Sequence, residues 1–127
     1  MAGPAKARRE RGSVTAVDAP APPQSIEAEQ AVLGGLLLDP SAWDQVADVI
    51  NEKDFYRPDH RLIFDAIGAL AGAGKPCDAV TVAEQLERTG KLDAAGGLAY
   101  LSSLARDTPT AANVRAYADI VRERIRA

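Results

Sequence analysis

The sequence predicts an all-α domain, a compact bundle of about six helices with no confident strand. Three observations carry that expectation. Hydrophobic residues make up 46% and aromatics only 5%, so the apolar content is mostly Ala, Leu, Val and Ile, and Ala and Leu are strong helix formers. Apolar residues recur at three- and four-residue spacing, the period of a helix face. Cap and breaker residues such as Ser25, Asp39-Pro40, Pro58, Gly72, Gly90 and Pro109 fall between those segments.

Residues 1–24 are rich in Ala, Pro and charge, and Pro20, Pro22 and Pro23 close them; they read as a disordered basic extension. The folded body is expected over residues 25–127. A first helix over Ile26–Leu38 takes Ser25 as N-cap, with Glu27 and Glu29 in the turn where the positive helix end favours acids. Ala28, Val32, Gly35 and Leu36 share a face that Ile26, Leu33 and Leu37 widen. Gly34-Gly35 matches no phosphate-loop pattern and reads as a close contact between helices.

Asp39 and Pro40 open a second helix carrying Trp43, Val46, Ala47 and Ile50. In the connection from Asn51 to Tyr56, Phe55 and Tyr56 are expected to pack back on the core. Pro58 opens a third helix with the stripe Leu62, Ile63, Ala66, Ile67 and Leu70, which Gly72 and Gly74 end. The capping-box pattern Thr81-Val82-Ala83-Glu84 starts a fourth helix that stops at Gly90. Asp93 is expected to begin a fifth, with Leu98, Tyr100, Leu101, Leu104 and Ala105. The last helix places Val114, Tyr117, Ala118, Val121 and Ile125 on one face.

Composition excludes several function classes. With one cysteine, Cys77, and one histidine, His60, neither an internal disulfide nor a usual structural zinc site is possible, which fits a reducing, cytoplasmic setting. The longest apolar run, Ala31 to Leu38, is too short to span a bilayer, and no apolar run follows the N-terminal basic residues as a signal peptide requires. Net charge is −3, unevenly spread: Lys6, Arg8, Arg9 and Arg11 against Glu10 and Asp18 give residues 1–23 a charge of +2, leaving −5 on the body. An acidic body disfavours broad phosphate contact, so single-stranded nucleic-acid binding through the basic tail is the alternative reading.

Catalytic residues are scarce. His60, between Asp59 and Arg61, reads as a surface or capping residue, since a general base needs a positioned partner and a pocket. Cys77 reads as a small, partly buried hydrophobe. Asp44, Asp48, Glu52 and Asp54 look like a solvated helix face without the spacing of a calcium loop. Ser102-Ser103 has no nucleophile elbow and no base within reach. No catalytic, cofactor or metal site is expected in this chain.

A series of motifs points further. Pro22-Pro23-Gln24-Ser25-Ile26-Glu27-Ala28-Glu29-Gln30-Ala31-Val32-Leu33-Gly34-Gly35 is followed by Asp54-Phe55-Tyr56, His60-Arg61-Leu62-Ile63-Phe64 and Asp78 to Leu86. Gly96-Gly97-Leu98-Ala99-Tyr100-Leu101, Thr108 to Val114, Tyr117-Ala118 and Ile120-Val121 complete it. Together, over residues 22–127, these blocks resemble the N-terminal domain of DnaB-type bacterial replicative helicases. The resemblance implies a helical head followed by a helical hairpin, and the final helix here is expected to be the start of a truncated hairpin. It also implies a non-catalytic collar of a hexameric ring, arranged as a trimer of dimers, that docks the C-terminal domain of primase. The helicase motor, with its ATP, magnesium and single-stranded DNA sites, would lie in a domain absent from this chain. A helicase loader or phage modulator is a further conceivable partner.

Two positions carry over from the family as primase-facing: Glu27 and Tyr100. The plainer readings beside them are a helix N-terminal acid and a core residue whose hydroxyl reaches the surface. For self-association, the exposed part of the stripe Val114, Tyr117, Val121 and Ile125 is the candidate, against the alternative that the head covers the whole stripe.

Overall fold

In the computed structural model, which describes residues 25–126 and side chains up to residue 123, the first helix runs through the centre of the domain. The extension expected at residues 1–24, with its basic residues, lies outside the described residues, as do Ala127 and the side chain of Ile125. Six α-helices follow one another: α1 (Ile26–Leu38), α2 (Trp43–Val46), α3 (Pro58–Gly72), α4 (Ala79–Arg88), α5 (Gly97–Asp107) and α6 (Val114–Arg126). Short 3-10 turns at Pro40–Ala42 and Glu52–Asp54 flank α2, and no strand occurs among the described residues. Nor is any described helix long and apolar enough to cross a membrane.

Helix α1 is the axis of the bundle. It packs against α3, α5 and α6, while α4 closes the gap between α3 and α5. Ser25 caps it by accepting the Ala28 N–H at 3.0 Å. Ala28, Glu29 and every residue from Val32 to Leu37 are buried, so its apolar surface runs all the way round, as a central helix requires. Gly34 marks the closest approach. A Cβ there would collide with the Thr108 side chain and the Leu104 carbonyl oxygen, so α5 lies directly against the α1 backbone.

Five expectations need correction. The second helix ends after Val46, short of Ile50, and a separate turn follows in which the Asp54 carboxylate accepts the Asn51 N–H at 2.9 Å. Asp54 is consequently buried and no part of a solvated face. The fourth helix begins three residues before the pattern suggested: Asp78 is the N-cap and accepts the Thr81 N–H at 2.8 Å, while the Thr81 hydroxyl donates to the Pro76 carbonyl. The fifth helix begins at Gly97, not Asp93, because Gly96 and Gly97 hold left-handed φ values of 101° and 77° that interrupt a right-handed helix. Of the connection's two aromatics, Phe55 is fully buried and Tyr56 is half exposed.

The core is otherwise apolar. Phe55 and Trp43 both pack against Phe64, with ring centroids 5.0 and 5.1 Å apart. Cys77 is buried, beyond the partial burial expected, and burial pushes its thiol up from the ordinary value, which disfavours the reactive thiolate.

Candidate functional site: a buried polar network behind an open groove

One polar system interrupts this apolar interior. Glu29 on α1 is 2% exposed and His60 on α3 is fully buried. The surface or capping role expected for His60 is therefore overturned: its ring is enclosed between three helices.

A buried carboxylate costs several kcal/mol unless its oxygens are matched by donors. Here they are. One Glu29 oxygen accepts the Tyr56 backbone N–H at 2.6 Å; the other lies 2.7 Å from His60 Nδ1 and 3.5 Å from the Arg57 N–H. The carboxylate beside Nδ1 calls for a proton there, and in the neutral ring Nε2 is then left to accept. Its partner is the Tyr100 hydroxyl at 2.6 Å, which in turn accepts from the Gln30 side-chain amide at 3.2 Å. The chain runs Gln30 to Tyr100 to His60 to Glu29 with each donor facing an acceptor.

This network ties α1, α3 and α5 together at one end of the bundle. It also fixes the surface above it. The Tyr100 ring lies within 5° of parallel to the His60 ring, with centroids 5.9 Å apart. The Arg57 guanidinium sits 5.6 Å from the Tyr100 ring centroid and is clamped by both Asp59 oxygens, at 3.1 and 2.5 Å. That hydrogen bond to Asp59 pushes the guanidinium up from its ordinary value.

Beside the network, α1, α5 and α6 border an open groove of about 350 Å³. Glu27, Gln30, Asp107, Thr108, Asn113 and Tyr117 line it. The structure thus brings together Glu27 and Tyr117 on one groove, and Gln30 links that groove to Tyr100. It does not bring Val114 and Val121 to the surface: both are buried against the rest of the domain, so among the described residues of that stripe the exposed one is Tyr117, with Ile120 next to it. The Tyr100 hydroxyl points inward to His60, not outward as the plainer reading held. Sequence reasoning missed Glu29, His60 and Gln30 as a unit. The signal it left was Glu29 itself, a carboxylate three and four residues before Val32 and Leu33 on an apolar face.

No group of three or more His, Cys, Asp or Glu that could hold a metal occurs among the described residues. The arrangement defines a class of protein: a helical domain whose buried polar groups are matched with one another beneath a grooved outer surface.

Comparison with known proteins identifies the family. Residues 21–123 match the family model described as DnaB-like helicase N terminal domain. The replicative DNA helicase DnaB of Geobacillus stearothermophilus is 50% identical over 103 residues, 81% of this chain and 23% of that protein. The Buchnera aphidicola DnaB is 48% identical over 102 residues, 80% of this chain and 22% of that protein. A crystal structure of the N-terminal domain of DnaB helicase from Mycobacterium tuberculosis superposes with a TM-score of 0.79 at 50% identity, over 82% of this chain and 72% of that one. The chain belongs to the family of DnaB-like helicase N-terminal domains. It spans less than a quarter of the length of these curated relatives.

Proposed function

We propose that this chain is a non-catalytic assembly and recruitment domain of a replicative DNA helicase, working in the bacterial cytoplasm. Copies of it pair through the α6 side of the domain, where Tyr117 is exposed, into the collar of a ring hexamer. Glu27 and Tyr100 face the C-terminal domain of primase. Unwinding, with ATP and magnesium as cofactors and single-stranded DNA in the ring, is assigned to the motor part that the family's helicases carry.

One observation carries this reading: the polar groups that could do chemistry are turned inward and matched with one another, while Glu27 and Tyr117 line an open groove. An aromatic held rigidly at a surface gives contact area at little entropic cost, and Tyr100 is held by both His60 and Arg57. A loader or a phage-encoded modulator would compete for the same surface.

The test combines size-exclusion chromatography with light scattering and titration of the cognate primase C-terminal domain. The expected result is saturable binding that Glu27→Lys and Tyr100→Ala weaken. Absence of binding, both here and in a form extended through the hairpin, would remove the recruitment role.

A further inference from the structure

The buried network has a consequence for recognition itself. Tyr100 donates its hydroxyl to His60 Nε2 at 2.6 Å, and the Glu29 carboxylate holds His60 through Nδ1 at 2.7 Å. Gly96 stands immediately behind: a Cβ there would lie 2.8 Å from the Tyr100 Cβ and 2.9 Å from its Cδ2, too close for any side chain. On the outer side, Arg57 lies over the ring and is itself clamped by Asp59. The ring is thus constrained by a hydrogen bond at its tip, by backbone at its base and by a guanidinium on its face.

We infer that His60 and Glu29 are positioning residues for partner recognition: they hold Tyr100 and Arg57 as one preformed element that a docking protein meets through the ring and guanidinium, with the tyrosine hydroxyl reserved for the interior. This deepens the recruitment reading and rests on it. The partner surface it fits is one that accepts an aromatic face flanked by a cation, such as an apolar patch beside a carboxylate. A flexible side chain at this position would lose ordering entropy on every docking event, and the network removes that loss before the partner arrives.

Neither His60 nor Glu29 reaches the surface, and the side chain that His60 holds towards it is Tyr100, so the effect of His60 on docking is transmitted through Tyr100. The decisive experiment is a double-mutant cycle of primase binding in the intact protein with His60→Leu and Tyr100→Ala. His60→Leu keeps every surface atom and frees the tyrosine hydroxyl. It is expected to weaken binding about three- to tenfold, the cost of ordering one freed side chain, and to have no further effect once Tyr100 is Ala. Wild-type affinity for His60→Leu, or losses that multiply in the double variant, would overturn the positioning role. Tyr100→Ala on its own reports the recruitment reading separately: if it binds as wild type, that reading fails and this one with it.

Should His60→Leu not fold, Tyr100→Phe breaks the same bond from the outside while leaving the ring and the His60–Glu29 pair in place. It is expected to show the same three- to tenfold loss, and undiminished affinity would sink the proposal. In the wild-type protein, the side-chain nitrogen shifts of His60 should identify the tautomer protonated at Nδ1. The other tautomer would contradict the network.

Discussion

The two halves of α1 both reach the core, at Glu29 and from Val32 to Leu37, and they are held there by different physics. From Val32 to Leu37 the helix is surrounded by apolar side chains, and its stabilisation is non-directional, growing with area removed from water. At Glu29 the same helix meets His60 and the backbone of Tyr56 and Arg57, where each carboxylate oxygen faces specific donors. An apolar interior tolerates a change of shape better than a buried carboxylate tolerates a change of chemistry. The polar half sets which helices meet and in what orientation, and the apolar half holds them there.

The largest predicted effect tests that contrast directly. Glu29→Ala leaves two backbone N–H groups and the His60 ring without their acceptor, and should cost about 3–5 kcal/mol in denaturant unfolding. Glu29→Gln is the sharper comparison, since volume is unchanged. One acceptor becomes a donor aimed at other donors, for a loss of about 1–3 kcal/mol. The matched swap in the other half, Leu36→Met, should cost less than about 1.5 kcal/mol at an equally buried site. If Leu36→Met costs more than Glu29→Gln, the two halves are held by the same physics.

How much of this was legible beforehand follows from the range of the interactions. The α1 boundaries, the Gly34 contact and the helical class rest on local spacing and caps, and the sequence displays those openly. The network does not appear locally, because His60 lies 31 residues from Glu29 and 40 from Tyr100. Flanked by Asp59 and Arg61, His60 has the neighbours of a surface residue. The early start of α4 and the late start of α5 were each decided by a neighbour of the expected cap. Thr81 and Asp93 are good caps, and a better-placed cap at Asp78 and two left-handed glycines decided the outcome. Of the proposed contact residues, Tyr100 and Glu27 were reached through family resemblance, and their packing context through coordinates alone.

A smaller effect probes the corrected α4 boundary. Asp78→Ala removes the acceptor of the Thr81 N–H and should lower stability by about 1 kcal/mol, whereas Glu84→Ala, remote from that cap, should change little. Reversed magnitudes in thermal unfolding would restore the Thr81 capping box.

The smallest effect on stability is expected at Tyr117, where α6 turns from core to surface. Val114, Ala118 and Val121 are buried, and Tyr117 is 37% exposed with Ile120 beside it at 36%. Tyr117 lies on the rim of the groove with part of its ring covered, so Tyr117→Ser should cost less than about 1 kcal/mol, towards the low end for single substitutions. The same change should shift the monomer–dimer balance towards monomer in light scattering, because it removes the large aromatic from the proposed pairing surface. Val121→Ser makes the control: it should destabilise the fold by burying an unmatched hydroxyl. A Tyr117 variant that unfolds early and still pairs would mean that the outer edge of α6 belongs to the core and that copies meet elsewhere. The contrast between the buried and exposed edges of one helix thus decides where pairing is sought.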